Sequence, residues 1–341
     1  MAKFFAALAF IFIGILPATV EARLITDAAG RKVEIPDRID RVLVAGPPAS
    51  ALVYVLAPDK LAGWVSTPSD AAKAYLSPSV RNLPTIGRLT GKGGTISTQA
   101  VAAAKPDIIL DVGTVDATYS ALADKVQDET HIPYVLINGS FARTGETLRE
   151  VGDILGVEGR AKTLADYADA TIKDFNDKLA TLPDAQRPRV YYGRGADGLE
   201  TGSAGSINLE ILDTASAVNV AAAAGKGGLT QVTPQQIVAW NPDVIFAEDG
   251  KFAAAIESDP QWAGIKAVKD GRVFVQPSLP FGWFDSPPGV NRLIGLRWLE
   301  MLLYPQLFKS DLSADVRGFY KLFYQVDLTD DQVTALLKRA E

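Results

Sequence analysis

The sequence predicts an α/β fold of two similar lobes, each built on a parallel sheet covered by helices, with one long α-helix joining them. Three observations carry this. Residues 96–110 (ISTQAVAAAKPDIIL) align without a gap on residues 232–246 (VTPQQIVAWNPDVIF), with Gln99/Gln235, Ala103/Ala239, Pro106/Pro242, Asp107/Asp243 and Ile109/Ile245 identical. Just upstream, the tetrapeptide GKGG at 91–94 recurs at 225–228. Two copies this far apart mark two lobes, whereas a solenoid repeats every ~20–50 residues. Between the copies, residues 158–182 contain no proline and set Ala161, Leu164, Ala168, Ile172, Phe175 and Leu179 three or four apart, the period of an amphipathic helix.

Each copy reads as a short helix, a Pro-Asp turn that stops it, and a buried strand rich in Ile, Leu, Val or Phe. Helix-to-strand units of this kind build parallel sheets with helices on both faces. Further strands are expected at residues 41–45 (RVLVA), 134–137 (YVLI), 189–192 (RVYY) and 272–275 (RVFV), each short, β-branched or aromatic, and bounded by Gly, Pro or Asn. At ~1.5 Å per residue the central helix reaches nearly 40 Å before Pro183 ends it, enough to run along both lobes as a rigid spine. A single spine restricts the lobes to small tilts.

The N-terminus reads as an export signal. Lys3 precedes an apolar run at residues 4–16, followed by Pro17 and the small residues Val20 and Ala22 around a cleavage position. The run is shorter than the ~18 residues that span a bilayer. No Cys follows it, so the exported product is expected in the periplasm without a lipid anchor. The resulting division is a signal peptide at 1–22, an N-terminal lobe at 23–143, a linking helical segment at 144–183 and a C-terminal lobe at 184–341.

Composition excludes several classes. The formal net charge is −6 and no basic block occurs, so no nucleic-acid partner is expected. Zero Cys and one His remove thiolate catalysis, disulfides, iron–sulfur ligation and multi-histidine metal sites. No protein-bound metal and no cofactor is therefore expected, and any metal handled here arrives already chelated. A secreted hydrolase would need Gly-x-Ser-x-Gly with a downstream acid and His. The segment Gly202-Ser203-Ala204-Gly205-Ser206 has the wrong spacing and His131 lies upstream of it, so no catalytic residues are assigned.

In open parallel sheets, ligands meet the loops at the carboxyl ends of strands, and two facing lobes gather those loops around one cleft. The first such loop is Gly46-Pro47-Pro48-Ala49, where the prolines start a helix whose free amides can bind an anion, making Pro48 and Ala49 ligand candidates. Arg194, between Gly193 and Gly195, can pair bidentately with a carboxylate or oxyanion. Arg88, in Ile86-Gly87-Arg88-Leu89, is its counterpart in the other lobe, and Arg143 is a further choice. Trp283 offers a flat face to a chelator ring or tetrapyrrole, and Tyr192 a hydroxyl. Trp64 is expected in the core and His131 in a turn. The two GKGG loops lack the Ser or Thr that follows Lys in a phosphate-binding loop and read as flexible turns with a solvated Lys, their duplication leaving an anion-attracting pair as the alternative.

The leader, ITDAAGRKVEIP at 25–36, the twin Pro-Asp strands and the central helix together resemble the helical-backbone (class III) periplasmic substrate-binding proteins of ABC importers for iron(III)-siderophores, haem and cobalamin. DGLET at 197–201, NVA at 219–221 and WFDSPPGVNRLIGLRWL at 283–299 are similar to a branch that also includes molybdate and tungstate binders. The resemblance implies Rossmann-like lobes with a ligand cleft between them, no enzymatic activity, an inner-membrane permease as partner and a monomeric receptor. It leaves the ligand open: an iron(III)-chelate is the first expectation, and molybdate or tungstate, haem and cobalamin are the alternatives. In the family a Glu seven residues before each Pro of the Pro-Asp pair docks on permease arginines. Here both positions are Gln, at 99 and 235, so docking there lacks charge assistance unless carboxylates such as Glu210 and Asp107 compensate.

Overall fold

The computed structural model describes residues 22–91 and 93–338. Apart from Ala22, the expected signal peptide lies outside the described residues.

The chain opens with an antiparallel hairpin, β1 (Ala22–Thr26) and β2 (Lys32–Pro36), turned at Gly30 with φ +79°. Its Asp27-x-x-Gly-Arg31 turn is locked from within. Asp27 Oδ1 accepts the N–H groups of Ala29 and Arg31, and Arg31 pairs with Asp27 at 3.0 Å and with Asp124 at 2.7 Å. Arg31 also donates to the Tyr134 carbonyl, which pins the hairpin to the first lobe.

That lobe holds a parallel sheet in the order β3 (Val42–Val44), β4 (Ile108–Gly113), β5 (Tyr134–Asn138). In the second lobe, β6 (Arg189–Gly193), β8 (Val218–Asn219), β10 (Val244–Ala247) and β11 (Val273–Val275) form a parallel sheet in the order β11-β10-β6-β8. A small antiparallel pair, β7 (Glu200–Gly202) with β9 (Leu229–Gln231), edges the cleft. The repeat copies fold alike, as helices Thr98–Ala103 and Pro234–Trp240 feeding β4 and β10. Each Pro-Asp aspartate anchors the neighbouring strand. Asp107 accepts the N–H groups of Asp40 and Arg41 at 2.8 and 2.7 Å, and Asp243 accepts that of Arg189 at 2.9 Å.

Strand alternation divides the core. Val42, Val44, Ile108 and Leu110 in one lobe, and Val190, Tyr192, Val244 and Phe246 in the other, face a core shared by both. Leu43, Ile109 and Tyr134 face an outer core of the first lobe, and Tyr191, Ile245 and Ala247 one of the second.

The spine is one unbroken helix, Glu158–Leu179, packed on the helix Thr144–Leu155. At one end Arg160 donates to the carbonyls of Val55, Leu322 and Phe323; at the other, Phe175 stacks on Phe308 with centroids 5.1 Å apart. The C-terminal segment, assigned with the second lobe on sequence, packs back across the first. Tyr54 donates to the Tyr324 carbonyl at 2.6 Å, and Gln332 to that of Ala74 at 3.1 Å.

Candidate ligand-binding cleft

The carboxyl ends of β3, β4, β6 and β11 open into one cavity of about 800 Å³ between the lobes. From the first lobe it is walled by Pro48, Trp64, Arg88, Thr90 and Asp111, and from the second by Arg194, Asn208, Gly227 and Phe281. The duplicated glycine loops face this space from opposite sides, through Gly91 and Gly227-Gly228.

The first wall starts at the helix Pro47–Leu56. At Gly46 a Cβ would lie 2.6 Å from Thr90 Oγ1, so only glycine lets the loop reach the Thr90 hydroxyl. Pro48 lines the cavity. Ala49 does not: it has no exposed surface, because the third helical position turns inward to the core. The helix therefore presents Pro48, and beyond it Ser50, rather than the Ala49 amide. Arg88 lines the cavity, with its Nε donating to the Gly93 carbonyl at 3.0 Å. Trp64 is buried yet forms part of the lining, its indole N–H spent on the Val80 carbonyl.

Below Thr90, the carboxylate of Asp111 faces the cavity from the carboxyl-terminal half of β4. It accepts from Thr90 Oγ1 at 3.1 Å and Tyr134 Oη at 3.0 Å. Burial pushes its pKa up, only partly offset by these hydrogen bonds. The repeat holds the signal that could have found it: Asp111 lies in a strand whose second copy carries Ala247 at the same position.

The second wall centres on Arg194, which lines the cavity but is already engaged. Its Nη1 lies 2.7 Å from Glu200, Nε 2.9 Å from Asp285 and Nη2 3.9 Å from Glu248. Burial opposes the guanidinium charge, and Asp285 and Glu248 more than restore it, so its pKa sits above the ordinary value. The expectation of an uncrowded arginine is corrected: the glycines flanking it make room for three carboxylates. Asp285 is fully buried, held also by Asn208, which donates to both its oxygens at 3.0 and 3.1 Å, and by Arg292 at 4.0 Å.

Trp283 and Tyr192 are also corrected, since neither has exposed surface. Gln276 Oε1 accepts the N–H groups of Phe284 and Asp285 and draws the loop inward. Trp283 thus points into the core, donating to Tyr320 Oη at 3.2 Å, and Phe281 is left at the cleft. Phe281 packs against Trp64 and Tyr54, with centroids 6.3 and 6.2 Å away, so one aromatic wall bridges the lobes. Tyr192 lies on the inner face of its sheet, stacked on Phe284 at 4.2 Å, with its hydroxyl taken by Gln276. Arg143 is exposed and paired with Glu146 at 2.8 Å, and His131 caps the helix Ala117–Thr130 in left-handed geometry.

Gln99 and Gln235 are exposed at matching positions of the two equivalent helices. The carboxylates considered as substitutes are occupied elsewhere. Asp107 anchors β3, and Glu210 accepts the Phe141 N–H at 2.8 Å where the lobes join. Among the described residues no cluster of His, Asp or Glu could hold a bare metal ion, and no helix is long and apolar enough to cross a membrane.

Two lobes, a rigid spine and a ligand-sized cleft define a solute receptor of the class III periplasmic type, and residues 49–279 match the family described as periplasmic binding protein. The chain belongs to that family, whose members here are substrate-binding components of ABC transporters and not enzymes. It is 28% identical to the molybdate-binding protein MolA of Haemophilus influenzae, over 91% of this chain and 93% of that one. The structure of MolA bound to molybdate superposes with a TM-score of 0.72, at 25% identity over 90% of this chain and 99% of that one. An ABC transporter solute-binding protein from Sulfurospirillum deleyianum superposes with a TM-score of 0.85, at 28% identity, covering 93% and 99% of the two chains. The protein is thus a periplasmic solute-binding protein of an ABC transporter.

Proposed function

We propose that the receptor captures a metal complex of chelate size, of the iron(III)-siderophore type, and delivers it to an inner-membrane permease. The observation that carries this reading is the cleft itself: about 800 Å³, with the Trp64–Phe281 wall on one side and a few polar groups on the other. That volume lies in the ~300–1,000 Å³ range of sites that enclose drug-sized ligands, and is far more than a four-oxygen anion needs. Pro48 and Arg88 meet the ligand from the first lobe. On the second lobe Arg194 is a fixed, neutralised wall rather than a free cation. Gln99 and Gln235 mark the permease-facing surface, and the mature receptor is an unanchored monomer.

A molybdate- or tungstate-type oxyanion is the second reading, favoured by the molybdate-binding relative from H. influenzae. Trp64 in the cavity wall makes intrinsic fluorescence the assay. Titration with ferric hydroxamate and catecholate chelates, haem and cobalamin is expected to perturb the emission at micromolar or lower concentration. Tight molybdate binding with no response to any chelate overturns the first reading in favour of the second. Elemental analysis and mass spectrometry of copurified ligand give an independent answer.

A further inference from the structure

We infer that Asp111 selects the charge class of the ligand: the cleft accepts a solute that offers a hydrogen-bond donor or positive edge to this carboxylate, and disfavours bare, multiply charged oxoanions. The inference deepens the chelate reading and rests on the same cleft.

Four observations carry it. Asp111 lines the cavity, although only 5% of the residue is exposed. Its hydrogen-bond partners, Thr90 and Tyr134, are both neutral. Among the described residues it takes part in no ion pair, although each of the other buried carboxylates, Asp27, Asp285 and Glu300, has an arginine within 4.0 Å. Lastly, the fold does not require it. The second copy of the unit closes its sheet with Ala247 at the same position, fully buried.

Among the described residues the surroundings bring no cation into an ion pair with Asp111. Across the cleft Arg194 is shared among Glu200, Glu248 and Asp285, so that wall carries no surplus positive charge. Tyr119, on the adjoining helix, is neutral, and among the described residues Arg88 is the remaining cationic side chain of the lining. A bare dianion entering here would confront an uncompensated carboxylate in a poorly solvated site, and like charges so placed repel strongly. A ligand amide N–H, hydroxyl or ammonium group would instead gain a charge-assisted hydrogen bond. Burial also raises the Asp111 pKa, since its neutral hydrogen-bond partners only partly offset the desolvation of the carboxylate.

The deciding measurement is the molybdate affinity of Asp111→Asn relative to the wild type, by calorimetry at fixed ionic strength. Asparagine keeps the shape and an acceptor oxygen, and its amide can donate to Thr90 or Tyr134. The expected result is a rise in molybdate affinity of tenfold or more, with an unchanged melting temperature. An unchanged or lower molybdate affinity overturns the inference, and parallel losses of affinity and melting temperature assign Asp111 to structure alone. Because this ratio does not depend on chelate binding, its failure is distinct from failure of the chelate reading. If Asp111→Asn does not fold, the wild type is compared with a ferric trihydroxamate bearing a terminal ammonium and with the same chelate succinylated there. The ammonium form is expected to bind at least tenfold tighter, and equal affinity overturns the inference.

Discussion

Replacing Arg194 by Ala distinguishes two views of the cleft. If the side chain is a free ligand group, the variant keeps its stability and loses affinity. The geometry predicts the reverse emphasis. Arg194 is the near cation of Asp285, at 2.9 Å, and of Glu200, at 2.7 Å, with Glu248 at 3.9 Å. Removing one partner of a buried ion pair costs about 3–5 kcal/mol, because a desolvated charge is left behind. Asp285 would retain Asn208 and the more distant Arg292 at 4.0 Å, which places the loss near the lower end, at about 3 kcal/mol. With a urea m-value of ~3 kcal/mol/M that is a midpoint shift of about 1 M, read by circular dichroism. Asp285→Asn in the same background should recover part of the loss, giving a coupling energy of about 2 kcal/mol in the double-mutant cycle. A variant within about 0.5 kcal/mol of the wild type that loses ligand binding tenfold would refute this account and restore Arg194 as a direct ligand group.

Other outcomes follow from the same structure. Burial pushes the pKa of Glu300 up to about 7 despite Arg297 at 2.9 Å. An acid with a raised folded-state pKa holds its proton longer in the native state, so its contribution to stability falls as pH rises from about 4.5 to about 7. Glu300→Gln should therefore gain on the order of 1–3 kcal/mol over the wild type between pH 5 and pH 8 in urea unfolding. Trp283→Ala should cost about 3–5 kcal/mol through the cavity it leaves in the core, whereas Phe281→Ala should chiefly reduce ligand affinity, and paired melting and fluorescence titrations separate the two. Restoring charge with Gln99→Glu and Gln235→Glu together should speed association with the cognate permease at low salt, and the gain should vanish as salt screens it.

The architecture was legible in the sequence because its signals are local and duplicated. The Pro-Asp turns, the β-branched strands and the proline-free helix each state their own conformation, and the repeat tied them into lobes. Cleft chemistry was less legible, because what decides it is long-range. Nothing local to Gly193-Arg194-Gly195 announces that Asp285, some ninety positions later, will occupy the guanidinium. Likewise, Gln276 decides that Trp283 turns inward and Phe281 outward. Asp111 was within reach, since comparing the copies one residue past the aligned block sets it against Ala247.

The return of the chain end to the first lobe has a consequence for biogenesis. Tyr54, Trp64 and Tyr75 find their packing partners in Phe281, Tyr320 and Tyr324, and Arg160 its acceptors at Leu322 and Phe323. A polypeptide threaded through an export channel N-terminus first cannot complete its leading half until its last residues have emerged. The exported chain thus completes its fold only once translocation is over.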